Sequence, residues 1–450
     1  MAQKTVPPLP SADQLAWSDM EIYLFIHFGP NTFSGKEWGS GNELASSFNP
    51  SALDCRQWCR IAKAAGAKGI IITAKHHDGF CLWPSAYSTH TVAYSPWENG
   101  RGDVLKNLSE ACKEYGLKMG VYLSPWDRNH PAYGTVAYNS IFENMMREVV
   151  KNYGPFFEFW WDGANGEGPD GKKQNYDWRT YEQTLRTIAP HTIIFSDIGP
   201  DARWAGNEKG YAGETNWNLL DTAGFKRGEG APPQDTLQQG NVFGKNWIPA
   251  ECDVSIRPGW FYHTAEDSLV KSPQTLFELY MKSVGRGANL LLNVPPDTRG
   301  LINEKDSASL MGFKKLRDEN FRHNLLQDAL FSFNQNGIQY KNSLLADDDE
   351  STFIKTGIGE KGGVTFQFKQ PIMLNCIELQ EPIAFGQRVM TFSLMLHLKD
   401  HTIIEIKGTT IGHKRLISFP RQEITSFDLV IHSSKNDPLI STVKAFLLND

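Results

Sequence analysis

Several things are missing from this chain of 450 residues. No apolar run approaches the roughly 18 residues that a membrane-spanning helix needs, so a membrane span is not expected. The formal charge is only -6 and no basic stripe appears, so nucleic acid is not an expected partner. The six cysteines, Cys55, Cys59, Cys81, Cys112, Cys252 and Cys376, contain no CxxC pair, and packing thiols are expected rather than a zinc site. Neither HxH nor HExxH spacing occurs, which disfavours a metal-dependent hydrolase, and no metal or other cofactor is called for. No GxGxxG follows an early strand, which weakens a doubly wound dinucleotide fold. The first ten residues, MAQKTVPPLP, have no apolar core and are not a signal peptide as written. Oligomeric state is left open.

Aromatic residues are abundant: 13 Trp, 14 Tyr and 26 Phe make 12% of the chain. Rings of this kind can stack on the C–H faces of sugars, although a large core also consumes many of them. Apolar runs at 22–29, 67–76, 117–127, 155–164, 191–199, 247–255 and 288–297 read as strands. Most are continuous rather than alternating, as parallel strands covered on both faces are. Between them lie helical patterns at 51–65, 103–116, 142–153, 178–188, 273–284 and 310–323. Repeated βα units predict an α/β fold of the (β/α)8 type over residues 1–328, in a regular or distorted form, with the eighth strand not evident. After residue 330 the apolar period falls to two, in 364–368, 392–398, 402–406 and 427–431. That predicts an antiparallel β-sandwich over 329–450, carbohydrate-binding-module-like, preceded by an acidic loop at 343–351. Trp is absent after residue 260, so the sandwich offers no aromatic platform and is expected to brace the barrel.

Catalytic groups of such barrels come from the C-terminal ends of the strands. Those ends carry His27, His76, His77, Asp78, Trp126, Asp127, Asp162, Asp197, Glu251 and Asp253. Asp162 stands out. It follows Phe156, Phe157, Phe159, Trp160 and Trp161, whose rings would desolvate its carboxylate, and Gly163 after it allows close approach to the backbone. The histidines fit hydrogen bonding to sugar hydroxyls better than metal ligation.

Taken in order, IHFGP (26–30), Glu37-Trp38, AKHHDGF (74–80), GVYLSPWD (120–127), FWWDGA (159–164) and NLLLNVPPD (289–297) resemble the retaining α-L-fucosidases of glycoside hydrolase family 29. The resemblance implies Asp162 as nucleophile, and a fucose pocket built from His27, Glu37, Trp38, His76, His77, Tyr122 and Trp160. For the acid/base it offers Glu208, Glu251 and Glu214. The string RWAGNE resembles a subgroup that removes α-1,3- and α-1,4-linked fucose from branched, Lewis-type glycans, which favours Glu208. RPGWFYH resembles a segment of the same subgroup and implies Arg257 and Trp260 as pocket-wall or aglycone-side residues. The expected activity is release of α-L-fucose from fucosylated glycans by double displacement, in a periplasmic or secreted protein, the cytoplasm being left open. The rival expectations are a glycosidase of another sugar specificity on the same barrel and a non-catalytic glycan-binding protein.

Overall fold

The computed structural model describes residues 4–334, 337–347 and 349–449. Eight parallel strands close into a barrel: β1 Ile22–Ile26, β2 Gly69–Lys75, β3 Lys118–Leu123, β4 Glu158–Trp160, β5 Ile193–Ser196, β6 Ala202–Trp204, β7 Ala250–Ser255 and β8 Asn289–Asn293. Closure is made by β1 on β8, with Ile22 opposite Leu290 and Phe25 opposite Asn293. The strand missing from the sequence reading is β6. It has three residues, one of them Arg203, and no helix separates it from β5. A stretch so short and so polar carries no periodicity to read.

Around the barrel lie α1 Ala12–Ser18, α2 Cys55–Ala64, α3 Val104–Tyr115, α4 Val136–Tyr153, α5 Trp178–Ile188, α6 Pro273–Lys282 and α7 Glu304–Asn320. Their limits follow local chemistry. The Asp103 carboxylate accepts the Lys106 N–H at 2.9 Å to start α3, and Gly116 ends it at φ 68°, where a side chain would be strained. Helix α4 starts six residues before its apolar stripe, and α7 starts on Glu304, Lys305 and Asp306, charged turns that lie ahead of the apolar pattern.

The strands alternate between two cores. Ile22, Leu24, Ile26, Ile70, Ile72, Val121 and Phe159 point outward to the helices. Tyr23, Phe25, Ile71, Tyr122, Trp160, Phe195 and Leu291 point inward and fill the barrel with rings. Period two then places Glu158, Trp160 and Asp162 on one inward column at three depths. Trp17 of α1 plugs the lower end, where its indole N–H donates to Glu158 at 2.7 Å.

The C-terminal part is built on a seven-stranded antiparallel sheet of β9 Leu330–Phe333, β10 Gln339–Lys341, β11 Val364–Gln380, β12 Val389–Leu398, β13 Ile403–Gly408, β14 Arg415–Ser434 and β15 Thr442–Phe446, with a two-stranded antiparallel sheet of Ile354–Lys355 and Leu439–Ile440 beside it. Its order is β10-β9-β11-β14-β12-β13, with β15 on β11, and register shifts interrupt the two longest strands. Side chains from all but β10 share one core, those of β13, Ile404 and Ile406, only partly buried against it. Of the acidic loop, Asp348 lies outside the described residues. The domain is fixed to the barrel: Gln387 donates to the Asn216 carbonyl at 2.9 Å and accepts from the Asn218 N–H at 2.8 Å, and Lys414 pairs with Glu21. His413 lies between Glu350, at 3.3 Å, and Asp19, at 3.8 Å. All six cysteines are buried and unbridged.

Candidate active site

Above the aromatic filling, the barrel opens into a cavity of about 200 Å³ lined by Phe25, His27, Trp38, His76, His77, Tyr122, Trp160, Asp162, Ala164, Glu208, Asp253 and Trp260. A groove of about 860 Å³ lies elsewhere, between α5 and residues 222–229, and holds none of the strand-end groups that converge on the mouth.

Asp162 stands two residues past Trp160, the last residue of β4. Its Oδ2 accepts the Tyr122 hydroxyl at 3.0 Å and its Oδ1 accepts the Ala164 N–H at 2.8 Å, so both oxygens are oriented. The side chain keeps 26% exposure, all that a substrate atom needs for access. Burial together with the Asp162 charge holds Tyr122 protonated far up the pH scale, which keeps it a donor.

Three histidines line the same wall as neutral rings. Burial lowers His27 to about 3 and His77 to about 4, and it takes His76 well below its ordinary range. Hydrogen bonds assign the tautomers of His77 and His27. Ser124 donates to the Trp126 carbonyl at 2.9 Å and so receives from His77 Nδ1 at 2.8 Å, leaving His77 Nε2 as a bare acceptor 3.6 Å from Asp162. Asn293 donates to Ser255 Oγ at 2.9 Å and to the Trp260 carbonyl at 2.8 Å, so its oxygen takes the His27 Nδ1 proton at 2.9 Å. His27 Nε2 is again an acceptor. Two such lone pairs beside one carboxylate suit the hydroxyl protons of a sugar.

Glu208 reaches the cavity from the irregular segment after β6. The Trp260 indole N–H approaches its Oε2 at 3.3 Å. Partial burial raises its pKa, and the charges of Asp162 and Glu37 push the same way. Arg203, fully buried, anchors the start of this segment by donating to the carbonyls of Leu237 at 2.9 Å and Trp217 at 3.0 Å. Asp253 also faces the cavity. Its Oδ1 accepts the Trp204 indole N–H at 2.8 Å, and burial plus the neighbouring Glu208 drive its pKa well above the usual carboxylate range. The sequence placed Asp253 at a strand end; Trp204, which holds it, carried no signal beyond lying in RWAGNE.

The other candidates lie elsewhere. Glu251 is in the barrel interior below Trp160, wholly buried, bonded to Trp160 and Tyr23 and outside the cavity. Its position near the start of β7, not the end, explains the difference: the strand begins at Ala250, because Asn246-Trp247 pairs with Leu219-Leu220 instead. Glu214 has an 81% exposed side chain beside Arg286. Arg257 does not reach the pocket wall. It is buried behind it, paired with Asp306 at 2.9 Å and Asp267 at 2.9 Å, because a guanidinium can cross the loop to two carboxylates. Glu37 is not a cavity wall either: its oxygens accept the N–H groups of Trp260, at 2.7 Å, and Phe261, at 3.4 Å, and meet His263, clamping the loop that carries Trp260. Trp38, 57% exposed, stands edge-on to His77 at the rim. Asp127 is absorbed by Lys75 at 3.2 Å, Asp78 by the Phe80 N–H at 2.7 Å, and Asp197 by the N–H groups of Ile198, at 3.0 Å, and Gly228, at 3.2 Å.

Residues 3–316 match the family model described as alpha-L-fucosidase. The chain is 40% identical to alpha-L-fucosidase 1 of Arabidopsis thaliana over 98% of its own length and 88% of the relative's. Among solved structures it is similar to a glycoside hydrolase 29 family member from an unknown rumen bacterium, at 41% identity and TM-score 0.88, covering 100% of this chain and 78% of that one. It is also similar to a Ruminococcus gnavus family 29 fucosidase in complex with fucose, at 29% identity and TM-score 0.90, covering 100% of this chain and 97% of that one. The chain belongs to the α-L-fucosidase family, glycoside hydrolase family 29.

Proposed function

We propose that this protein is a retaining exo-α-L-fucosidase in which Asp162 is the nucleophile and Glu208 the acid/base, acting on α-1,3- and α-1,4-linked fucose of branched glycans. The observation that carries the reading is that both carboxyl groups line one small cavity whose other polar walls are hydroxyl-binding groups. In the first step an Asp162 oxygen forms a bond to the anomeric carbon as the glycosidic C–O bond breaks, and Glu208 gives its proton to the departing oxygen. In the second step Glu208 takes a proton from water, the water oxygen bonds to the anomeric carbon, and the bond to Asp162 breaks. Two inversions return the α-anomer. Retention of this kind works with carboxyl groups about 5–5.5 Å apart.

The roles divide by environment. Tyr122 and the Ala164 N–H orient Asp162, while the neighbouring charges help Glu208 keep its proton. Neutral His27 and His77 accept sugar hydroxyl protons. Trp160 and Trp260 supply an apolar wall for the C5 methyl of fucose. The linkage preference rests on the RWAGNE and RPGWFYH segments, which here carry Glu208 and Trp260. Product analysis by NMR tests all of this together: α-L-fucose should appear first from a Lewis-type trisaccharide, and a 2'-linked fucosyl sugar should remain intact. Cleavage of the 2'-linked sugar at equal rate would overturn the linkage preference, and initial β-fucose would overturn retention.

A further inference from the structure

Two carboxyl groups lie in the barrel where no substrate can reach them. Glu158 on β4 and Glu251 on β7 are both fully buried. Glu251 accepts from two rings at once: the Trp160 indole N–H at 2.8 Å on Oε1, and the Tyr23 hydroxyl on Oε2. Glu158 accepts the Trp17 indole N–H at 2.7 Å on Oε2, and its Oε1 is buried without a hydrogen-bond partner. A buried carboxyl is tolerated only when its neighbours satisfy it, and each of these is held by groups from other elements: β4 and β1 for Glu251, α1 for Glu158.

The arrangement matters because of what lies above it. Trp160 is the cavity floor. Its ring stacks on Phe195 at 4.2 Å and 15°, and it packs against Tyr122, the donor to Asp162, at 5.3 Å. Stacking fixes the plane of an indole but leaves it free to slide and turn within that plane. A hydrogen bond from its one N–H removes that freedom. Its acceptor comes from below, through Glu251.

We propose that Glu251, with Glu158 beside it, is a positioning residue for this site: its bond to the indole N–H fixes the rotation of Trp160 and so the floor on which the sugar rests. The proposal rests on the fucosidase reading above. It gives Glu251 no contact with substrate and no proton transfer to it. The titratable groups facing the pair are Tyr23 from β1 and, along β7, Cys252 and Asp253, and the carboxyls also face each other. Burial raises Glu251 to about 7, and burial together with the Glu251 charge raises Glu158 well above the usual carboxylate range.

The test uses the full chain labelled with 15N at tryptophan. The Trp160 indole N–H resonance is assigned by its loss in Trp160→Phe. Glu251→Gln keeps an acceptor and should shift that resonance while leaving KM for an aryl α-L-fucoside within about threefold. Glu251→Met removes the acceptor; it should shift the resonance further and raise KM roughly tenfold, the size of one lost hydrogen bond, with a smaller change in kcat. If Glu251→Met does not fold, the Glu251→Gln resonance and KM decide. An indole resonance unmoved in both variants overturns the proposal, as does an unchanged KM in folded Glu251→Met. A collapse of kcat in Glu251→Gln with loss of the alkaline limb would instead make Glu251 the acid/base and overturn it as well. Absence of fucoside turnover in the wild type would sink the functional reading, yet the indole shifts would still report on the contact.

Discussion

The two ends of the barrel interior use the same parts for opposite purposes. At the mouth, Asp162, Glu208 and Asp253 stand among Trp38, Trp160 and Trp260. At the floor, Glu158 and Glu251 stand among Trp17, Tyr23 and the underside of Trp160. Burial raises the pKa of Glu208 and Asp253 above and of Glu158 and Glu251 below. A raised carboxyl pKa therefore does not mark catalysis in this molecule. Access does: the upper set borders a cavity, and the lower set is sealed between two indoles. A perturbed group is a functional candidate only when substrate can touch it.

Substitutions can break or sharpen that contrast. The largest effect is expected at Asp162. Asp162→Asn should lower kcat on an aryl fucoside by about 10⁴-fold or more, with the fold intact by circular dichroism, since a bonding atom is lost rather than a packed one. Glu208→Gln should lose roughly 10²–10³-fold on a glycan, and less on an aryl fucoside whose leaving group needs little protonation. Because Glu208 acts while protonated, wild-type activity should fall as pH rises through its raised pKa, and that alkaline limb should vanish from the variant's profile. A limb that survives would transfer the acid role to another group.

Arg257→Ala should act through stability. It leaves fully buried Asp306 without its guanidinium, at a cost of about 3 kcal/mol, visible as a lower denaturation midpoint. The smallest effect is expected far from the mouth, at His413. Its folded pKa is raised despite burial, through Glu350 first and Glu21 after it. Protonation-linked stability is then complete below the unfolded value of about 6.5 and lost as pH climbs through the folded one. The Tm difference between wild type and His413→Gln should shrink from pH 6 to pH 9; a constant gap would refute this.

What the sequence made legible follows from the same physics. Seven strands were readable because burial on both faces demands continuous apolar runs, and His27, His76, His77 and Asp162 were readable because they interrupt those runs at their ends. Ala202–Trp204 was not, since three residues on an inserted corner need no pattern. Glu158 was hidden for another reason: within PFFEFWWD it lies four residues before Asp162 on the same column, and only the inward direction of Trp160 shows that a carboxyl belongs beneath it. Arg257 was misplaced because residue type gives reach but not direction.

The pairing of β1 with β8 sets a condition on how the site comes into being. His27 follows the first strand, and the Asn293 oxygen that orients it ends the last. Synthesis must run past residue 293 before the ring can close, so a nascent or truncated chain exposes β1 and β7 as unpaired edges, and β1, Ile22–Ile26, is the apolar one. Stopped translation products of this protein should therefore be chaperone clients with no residual fucose pocket, rather than weaker versions of the whole.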